Sequence, residues 1–262
     1  MCNEEQKRKR MFEEQYNKNG CLMKIVEYNN AQNIVVQFQD KYLCKVRCEY
    51  SQFKDGRVSN PYFPSVYSHG MIGEKYKCKV DGKDSREYST WHSMLSRCFD
   101  EKYLDIRSTY KDVTCSDEWL LFDNFYEWLH SQENFDNWIS DKRGCLDKDI
   151  LVKGNKLYSP DNCCLVPNRV NVLFTKRVNY RGNTPIGVSY HKRDNIYEAH
   201  CNDGNGKPQY LGRFSNQTDA FNEYKKYKEN LIKTIAKEEY EIGSITKKCF
   251  DAMNNYVVEI TD

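Results

Sequence analysis

The sequence predicts a multidomain α+β protein, because short β-permissive runs and amphipathic helical stretches occupy separate blocks along its 262 residues. A first group of short strands precedes a helix-rich stretch, which also contains a hairpin followed by a helix. A second group of three strands precedes one long amphipathic helix. We therefore expect a small N-terminal β-barrel-like module, a helical core with a ββα motif, and a C-terminal three-stranded antiparallel sheet with one packed helix.

Turn residues and charged linkers indicate the boundaries between these parts. From the N-terminus we expect a polar tail over 1–19, a small β module over 20–80, a helical and ββα domain over 86–180, a sheet-and-helix domain over 183–238 and a C-terminal tail over 239–262. Basic residues 7–10 lie between acidic pairs, so the N-terminal tail is expected to be solvated.

The charge balance limits the kind of partner that the chain can bind. There are 40 Lys and Arg against 38 Asp and Glu, a formal net charge of +2. Any nucleic-acid surface must therefore be local. No apolar run approaches the ~20 residues that a membrane span needs, and the charged N-terminus lacks the apolar core of a signal peptide. We expect a soluble, cytoplasmic protein with no membrane partner.

Twelve cysteines admit two interpretations. Without an export signal, most are expected to be reduced and buried thiols. The alternative is structural zinc, which typically uses Cys-x-x-Cys pairs. The nearest spacings here are Cys44 with Cys48 and the adjacent Cys163 and Cys164. The spacing favours reduced thiols.

The block over 20–80 has the pattern of a small β module. Strands are predicted at 22–28, 33–38 and 42–50, because β-permissive residues there are separated by short pairs of turn residues. Further turn residues continue to Gly73. This spacing is typical of a small barrel or a curled sheet.

Two amphipathic helices are predicted to follow. Ser89 or Thr90 is expected to cap the first, and Ser116 is expected to open the second. Apolar residues recur every three or four positions in both helices, at Tyr88, Trp91, Met94, Leu95 and Cys98, and then at Trp119, Phe122, Phe125, Trp128 and Leu129. Both faces are predicted to be core.

The central stretch, residues 145–174, predicts two short strands and a helix. Runs at 146–152 and 156–166 flank Gly154-Asn155, a pair that is typical of tight hairpin turns. A loop with a proline interrupts the second run, because proline lacks the donor that a β-ladder needs. Pro167 then suits the first turn of a helix through Asn171.

In order, this stretch contains Leu-Asp, a basic residue, a Gly-Asn turn and Tyr-x-Pro-x-Asn-Cys. With the helical stretch before it, it resembles the HNH family of ββα-metal nucleases, particularly phage proteins, over about residues 88–177. The resemblance implies that Asp147 and Asn171 are metal ligands and that Asn162 braces the loop. It also implies Mg²⁺ or Mn²⁺ as the cofactor of an active enzyme.

Lys148 occupies the position at which the HNH family has its general-base histidine. Histidine has an ordinary pKa near 6.5 and can accept a proton from water at neutral pH, whereas lysine near 10.4 is already protonated. A lysine can instead contact a phosphate. We therefore expect a degenerate core that contacts DNA without hydrolysing it and needs no cofactor to bind.

The C-terminal block predicts a sheet covered by a helix. Strands are expected at 186–190, 196–201 and 209–214, with turns at 193–195 and 203–206. The helix that follows has an apolar face made by Ala220, Phe221, Tyr224, Tyr227, Leu231, Ile232 and Ile235. Because three strands alone are marginally stable, the helix must cover one side of the sheet.

Gly187-Val188, Tyr197-x-Ala199, Tyr210-Leu211-Gly212-x-Phe214 and Ala220 together resemble the APETALA2-type DNA-binding domain over residues 185–236. Such domains lay the open face of the sheet in the major groove, which implies double-stranded DNA as the partner.

The alternation of side chains along a strand then predicts which residues face DNA. If Val188, Tyr190, Tyr197, Ala199 and Leu211 face the helix, then the open face presents Ser189, His191, His200, Asn202 and Tyr210. Ser189, His191 and Asn202 stand where members of that family carry arginines.

Basic residues near the sheet complete the predicted DNA-binding surface. Residues 176–214 hold seven Lys or Arg against three acidic residues, a local net charge of +4. The residues expected to contact phosphates are Arg177, Arg181, Lys192, Arg193, Lys207 and Arg213.

Three functions agree with these patterns. The first is a phage or mobile-element protein that binds double-stranded DNA and has a degenerate HNH core, which does not hydrolyse DNA. The second is an active metal-dependent HNH-type homing endonuclease. The third is a phage-encoded inhibitor of a host defence nuclease, of the anti-CRISPR type, whose partner would be a host nucleoprotein or CRISPR effector nuclease. In each case we expect the protein in the cytoplasm of a bacterial host cell.

Overall fold

The computed structural model of the protein describes residues 2–175 and 183–262, and it combines helices with several separate sheets. The α+β class predicted from the sequence is therefore confirmed. The chain divides into two compact units, Met1–Glu127 and Trp128–Asp262. The finer domain boundaries remain predictions.

The first unit begins with a helix and an antiparallel sheet of four strands in the order β1-β2-β3-β4, whose edges are β1 and β4. The elements are α1 (Cys2–Arg10), β1 (Glu14–Tyr16), β2 (Leu22–Asn30), β3 (Asn33–Phe38), β4 (Lys45–Cys48) and α2 (Tyr50–Lys54). The core of this part includes Met23, Ile25, Ile34, Val36, Phe38 and Phe53.

The first two predicted strands of this sheet are confirmed, but the third begins three residues later than predicted. The side chain of Asp40 accepts hydrogen bonds from the backbone N–H groups of Tyr42 and Leu43, at 2.9 and 3.2 Å. These donors are used in a turn and cannot join a ladder. The strand therefore starts at Lys45.

The remainder of the first unit is mainly helical. It contains β5 (Lys79–Val80), β6 (Lys83–Asp84), α3 (Arg86–Phe99), α4 (Glu101–Ile106), β7 (Thr114–Cys115) and the start of α5 (Phe122–Ser131). Ser85, rather than Ser89 or Thr90, caps α3, because its hydroxyl accepts from the N–H of Tyr88 at 3.1 Å. Four of the five residues of its predicted apolar face are buried, and Tyr88 is half-buried.

The second predicted helix is divided into two parts. A 3₁₀ turn covers Asp117–Leu120, and α5 begins two residues later at Phe122. Trp119, Phe122, Phe125 and Leu129 are nonetheless fully buried. The prediction that these side chains form core is confirmed.

The central stretch lies in the second unit. Its elements are α6 (Phe135–Ser140), β8 (Cys145–Asp147), β9 (Leu157–Tyr158), β10 (Cys164–Val166) and α7 (Asn168–Asn171). Strands β8 and β10 pair antiparallel, with Asp147 opposite Cys164. The helix predicted after Pro167 is confirmed. The predicted hairpin is wrong, because a long loop, rather than a tight Gly154-Asn155 turn, joins the paired strands.

The predicted sheet-and-helix segment contains all four expected elements. Strands β11 (Val188–His191), β12 (Ile196–Asn202) and β13 (Pro208–Phe214) form an antiparallel sheet in that order, and α8 (Gln217–Glu241) follows. Val188, Ala199 and Cys201 pack on Ala220, Phe221 and Tyr224 of α8. The predicted apolar face of the helix is therefore confirmed.

The second half of α8 packs on a different part of the same unit. Ile232, Ile235 and Ala236 share a core with Val166 and Val170 of the central stretch. The C-terminal residues join this core, because α9 (Lys247–Asn254) buries Cys249 and Met253 there. One helix thus contributes to two hydrophobic cores.

The eleven cysteines from Cys21 to Cys249 are free thiols, and six of them are buried, as the sequence predicts. In the same ranges no helix is long and apolar enough to cross a bilayer.

Two glycines with the same backbone angle offer a matched test of the packing between β11 and α8. Gly187 and Gly154 both have φ of +75°. A Cβ at Gly187 would lie 2.0 Å from Cδ2 of Tyr224, whereas nothing lies within 4 Å of a Cβ at Gly154. Either alanine should cost about 1–2 kcal/mol for the left-handed backbone.

Gly187→Ala should cost about 1–3 kcal/mol more than Gly154→Ala, because the ring of Tyr224 must move. Urea unfolding of the two variants measures the difference. Equal losses of stability would contradict the close packing of Gly187 on Tyr224.

Candidate nucleic-acid interface and metal site

Asp147, the predicted metal ligand, is engaged by its own loop. Its Oδ1 accepts hydrogen bonds from the backbone N–H groups of Asp149 and Ile150, both at 2.8 Å. These bonds end β8 and explain why the strand does not continue to residue 152. Burial raises the pKa of the Asp147 carboxyl group, although the two N–H donors act in the opposite direction.

Lys148 is buried, with 8% of its surface exposed. Its ammonium group donates to both carboxylate oxygens of Asp149, at 2.9 and 2.8 Å, and to the carbonyl oxygen of Asn155 at 2.6 Å. An ammonium that donates to three acceptors has no lone pair to accept a proton from water. The side chain therefore stabilises the loop and does not present a base.

Asn155 organises this loop, although the sequence indicated it only as a turn residue. Its Nδ2 donates to the carbonyl oxygens of Lys148 and Leu157, at 2.9 and 2.7 Å. Its Oδ1 accepts from the N–H of Leu157 at 3.0 Å and from Nδ2 of Asn162 at 3.4 Å. Asn162 thus contacts the loop through Asn155.

The donor set here does not fit a catalytic Mg²⁺ or Mn²⁺ ion. Magnesium sites are built from carboxylate oxygens together with water and substrate phosphates, in near-octahedral geometry. The predicted pair offers one carboxylate, Asp147, whose Oδ1 is already used, and one amide, Asn171 at the end of α7. Across residues 2–175 and 183–262, no group of three or more His, Cys, Asp or Glu side chains could hold a metal ion.

The face of the sheet opposite α8 is polar and centred on Glu198. Ser189, Glu198 and Arg213 form one row across β11, β12 and β13. Nε of Arg213 donates to Oε1 of Glu198 at 2.9 Å. The imidazole nitrogens of His191 and His200 lie 3.8 and 3.5 Å from Oε2 of Glu198. One carboxylate thus lies among three basic side chains.

Glu198 was not among the site residues predicted from the sequence, although a signal for it was present. Tyr197 and Ala199 were expected to face the helix, so the residue between them must face outward. Its side chain is only 11% exposed. The bond to Glu198 raises the pKa of Arg213, which therefore stays charged.

One predicted position on the sheet needs correction. Tyr190 is 40% exposed and not buried under α8, because it lies near the end of the edge strand β11. Its hydroxyl donates to Oδ1 of Asn195 at 2.6 Å. Asn202 ends β12, and its Oδ1 accepts from the N–H groups of Gly204 and Gly206. That oxygen stabilises a turn, and the contact of Asn202 with DNA stays a prediction.

The other candidates lie as follows. Ser189 and Tyr210 are exposed, and the ring of Tyr210 lies 5.4 Å from that of His200. Lys192 and Arg193 occupy the turn between β11 and β12, where the Arg193 side chain is 91% exposed. Lys207 is exposed in the turn before β13.

The predictions for Arg177 and Arg181 lie outside the described residues. From 183 to 214, four basic residues face three acidic ones, a formal charge of +1.

The raised pKa of Asp147 predicts that the stability of the folded protein depends on pH. The folded protein binds this proton more tightly than the unfolded chain does, so the resulting stability is complete below the unfolded pKa of about 3.9 and is lost as the pH rises through the folded pKa. Asp147→Asn keeps an acceptor oxygen without the charge. The free energy of unfolding of this variant, relative to that of wild type, should therefore be higher at pH 7 than at pH 4.

Urea unfolding at both pH values measures this difference, and Asp161→Asn, at an exposed position, is the control. If the difference between Asp147→Asn and wild type did not change with pH, Asp147 would not be the carboxyl group responsible.

The likenesses to HNH-type and APETALA2-type proteins rest on the residues quoted above. They stay predictions from the sequence. Comparison of the chain with protein-family models, with curated proteins and with solved structures gave no match.

Proposed function

We propose that the chain binds double-stranded DNA with the polar face of the sheet formed by β11, β12 and β13. The observation that carries this proposal is that α8 covers only one face of the sheet, while His191, Tyr210 and Arg213 are exposed on the other. A ribbon of β-strands is narrow enough to enter the major groove, which is about 12 Å wide.

The exposed cationic residues at the two ends of the sheet support this proposal, because they would contact phosphates. Lys192 and Arg193 extend from one turn at the end of the sheet, and Lys207 lies in the turn at its other end. Such side chains would flank a groove into which the strands insert, and they would fix the position of the protein without reading sequence. With a formal charge of only +1 over residues 183–214, binding would depend on a few contacts.

The centre of the face would contribute sequence preference. The carboxylate of Glu198 holds the guanidinium of Arg213 at 2.9 Å, and an oriented arginine can donate two hydrogen bonds to guanine. His191 and His200 add further donors or acceptors beside it. The carboxylate would also repel phosphates, which favours insertion into the groove over contact with the backbone.

The HNH-like stretch would serve as support for this DNA-binding surface. The bonds that its Asp147 and Lys148 make within the loop leave no general base and a poor metal site. In this proposal the degenerate core contacts DNA or stabilises the DNA-binding surface, and it does not hydrolyse DNA.

The DNA-binding proposal predicts a weak affinity that depends on salt. Three or four phosphate contacts should give a slope of log K against log salt of about −3. Replacing Lys192 and Arg193 by alanine should reduce that slope by about 2 and weaken binding to all duplexes by a similar factor. Fluorescence anisotropy with labelled duplexes at several salt concentrations measures both effects.

The matched control removes two exposed lysines from α8, Lys226 and Lys233, and should leave the slope unchanged. An affinity that is flat between low and physiological salt would contradict the proposal. If the control pair lost as much affinity and slope as the Lys192 and Arg193 pair, any cationic patch would be sufficient for DNA binding.

The degenerate core predicts that plasmid DNA is not cleaved with Mg²⁺ or Mn²⁺. Loss of a general base typically slows hydrolysis by ~100- to 10,000-fold. Lys148→His supplies a base but removes the three bonds that Lys148 makes in its loop. We therefore expect no cleavage by this variant either. Nicking by the wild-type protein that Asp147→Ala abolishes would establish the endonuclease alternative instead.

A further inference from the structure

A cleft of about 790 Å³ lies within the second unit, and its lining includes His200, which is also next to Glu198 on the polar face of the sheet. The turn after α7, the start of β11, the turn between β12 and β13, and α8 form its walls. Pockets for small ligands typically measure about 300–1,000 Å³ and combine apolar walls with a few polar groups. This cleft is therefore large enough for a compact organic ligand.

The charged groups of the cleft are all basic among its described lining residues. They are Arg143, Arg169 and Lys228. Lys228 is half-buried on α8, and no described carboxylate pairs with it. Burial lowers the pKa of its ammonium group, and the nearby Cys201 thiol only partly offsets this effect. A desolvated cation without a counterion is unfavourable, and an anionic ligand would relieve that cost.

Arg169 is held rigidly at the edge of the cleft. Nη2 lies 2.7 Å from Oε2 of Glu238, and Nη1 donates to Oε1 of Glu239 at 3.2 Å. Its Nε is buried and has no hydrogen-bond partner among the described residues. Arg143, by contrast, is exposed, and no described carboxylate pairs with its side chain.

The remaining walls suit a planar, polar group. Val172 is 48% exposed and Ile186 is half-buried, so both offer apolar surface. Asn168 and Asn205 add amide groups, which can donate and accept hydrogen bonds at the edge of a base. A simple carboxylic acid would use the cations but would leave the amides and the apolar surface without partners.

We propose that this cleft binds a nucleotide, with its phosphate between Lys228 and Arg143 and its base against Val172 and Ile186. The ligand class is a phosphorylated nucleoside, either free or as the 5′-terminal residue of a single strand. Nucleotide binding here goes beyond duplex binding by the sheet, because the side chains assigned to the phosphate and the base are not those assigned to the duplex, although His200 borders both sites. The two can fail independently.

Isothermal titration of the full chain tests the proposal. The probes are the four deoxynucleoside 5′-monophosphates, the corresponding nucleosides and inorganic phosphate. At least one monophosphate should bind more tightly than its nucleoside and more tightly than phosphate. Lys228→Met should weaken that binding about 10- to 100-fold, because it removes a charge-assisted hydrogen bond. Lys226→Met, at an exposed position on the same helix, is the control and should have no effect.

Thermal unfolding shows whether a loss of nucleotide binding results from a folding defect. Lys228→Met should be at least as stable as wild type, since it replaces a desolvated, unpaired charge by an apolar chain of similar length. A loss of nucleotide binding in a variant with an undiminished Tm therefore supports the assignment. Binding that Lys228→Met leaves unchanged would overturn it.

Further measurements distinguish a free nucleotide from a strand end as the ligand, and they distinguish nucleotide binding in the cleft from duplex binding by the sheet. Tighter binding of a 5′-phosphorylated single strand than of its unphosphorylated form would identify a strand end as the ligand, and equal binding of the two would identify the free nucleotide. Two results would overturn the proposal. One is that inorganic phosphate binds as tightly as every monophosphate. The other is that no probe gives heat of binding up to about 5 mM, which is beyond the millimolar end of specific affinity. Replacing Lys192 and Arg193 should leave monophosphate binding intact.

Discussion

The second unit depends on a single constraint, which is that helix α8 must bury one apolar stripe against two different partners. Its first turns pack under the sheet through Ala220 and Tyr224, and its later turns pack on the central stretch through Ile232 and Ile235. The ion pairs of Arg169 with two glutamates of the helix add a polar link at the second partner. Because both cores share this helix, the three-stranded sheet is supported by more than its own hydrogen bonds.

Polar side chains in the loops of this unit accept hydrogen bonds from the backbone, which leaves fewer of their atoms for a ligand. Buried N–H groups require acceptors, and in the loops the nearest acceptors are the side chains of Asp and Asn residues. Asp147, Asn155 and Asn202 each use an oxygen in this way. The same residue types at the same spacing would suit a metal site or the recognition of a base. Here these oxygens stabilise turns, so fewer acceptor atoms of Asp147 and Asn202 are left for a metal ion or a base.

The two candidate ligand surfaces differ in how their charges are balanced. On the sheet, Glu198 neutralises Arg213 and lies near two histidines, so the cationic side chains are oriented and partly compensated. In the cleft, Lys228 has no described carboxylate beside it and is desolvated. A compensated surface suits weak, salt-dependent binding through a few phosphate contacts, as proposed for a duplex. An uncompensated, half-buried cation suits a compact anion.

Periodicity in the sequence determined the α+β class, the three strands before α8 and the apolar face of that helix, because alternation and helical spacing are local properties of the chain. It also placed Ser189, His191 and Tyr210 on an open face, and it could have placed Glu198 there by the same rule. Only the tertiary structure decided the rest. The pairing of β8 with β10, the loop bonds of Lys148 and the cleft around Lys228 of α8 all join residues that are distant in sequence or that compete for the same acceptors. Periodicity carries no information about which partner wins such a competition, so these features required the folded chain.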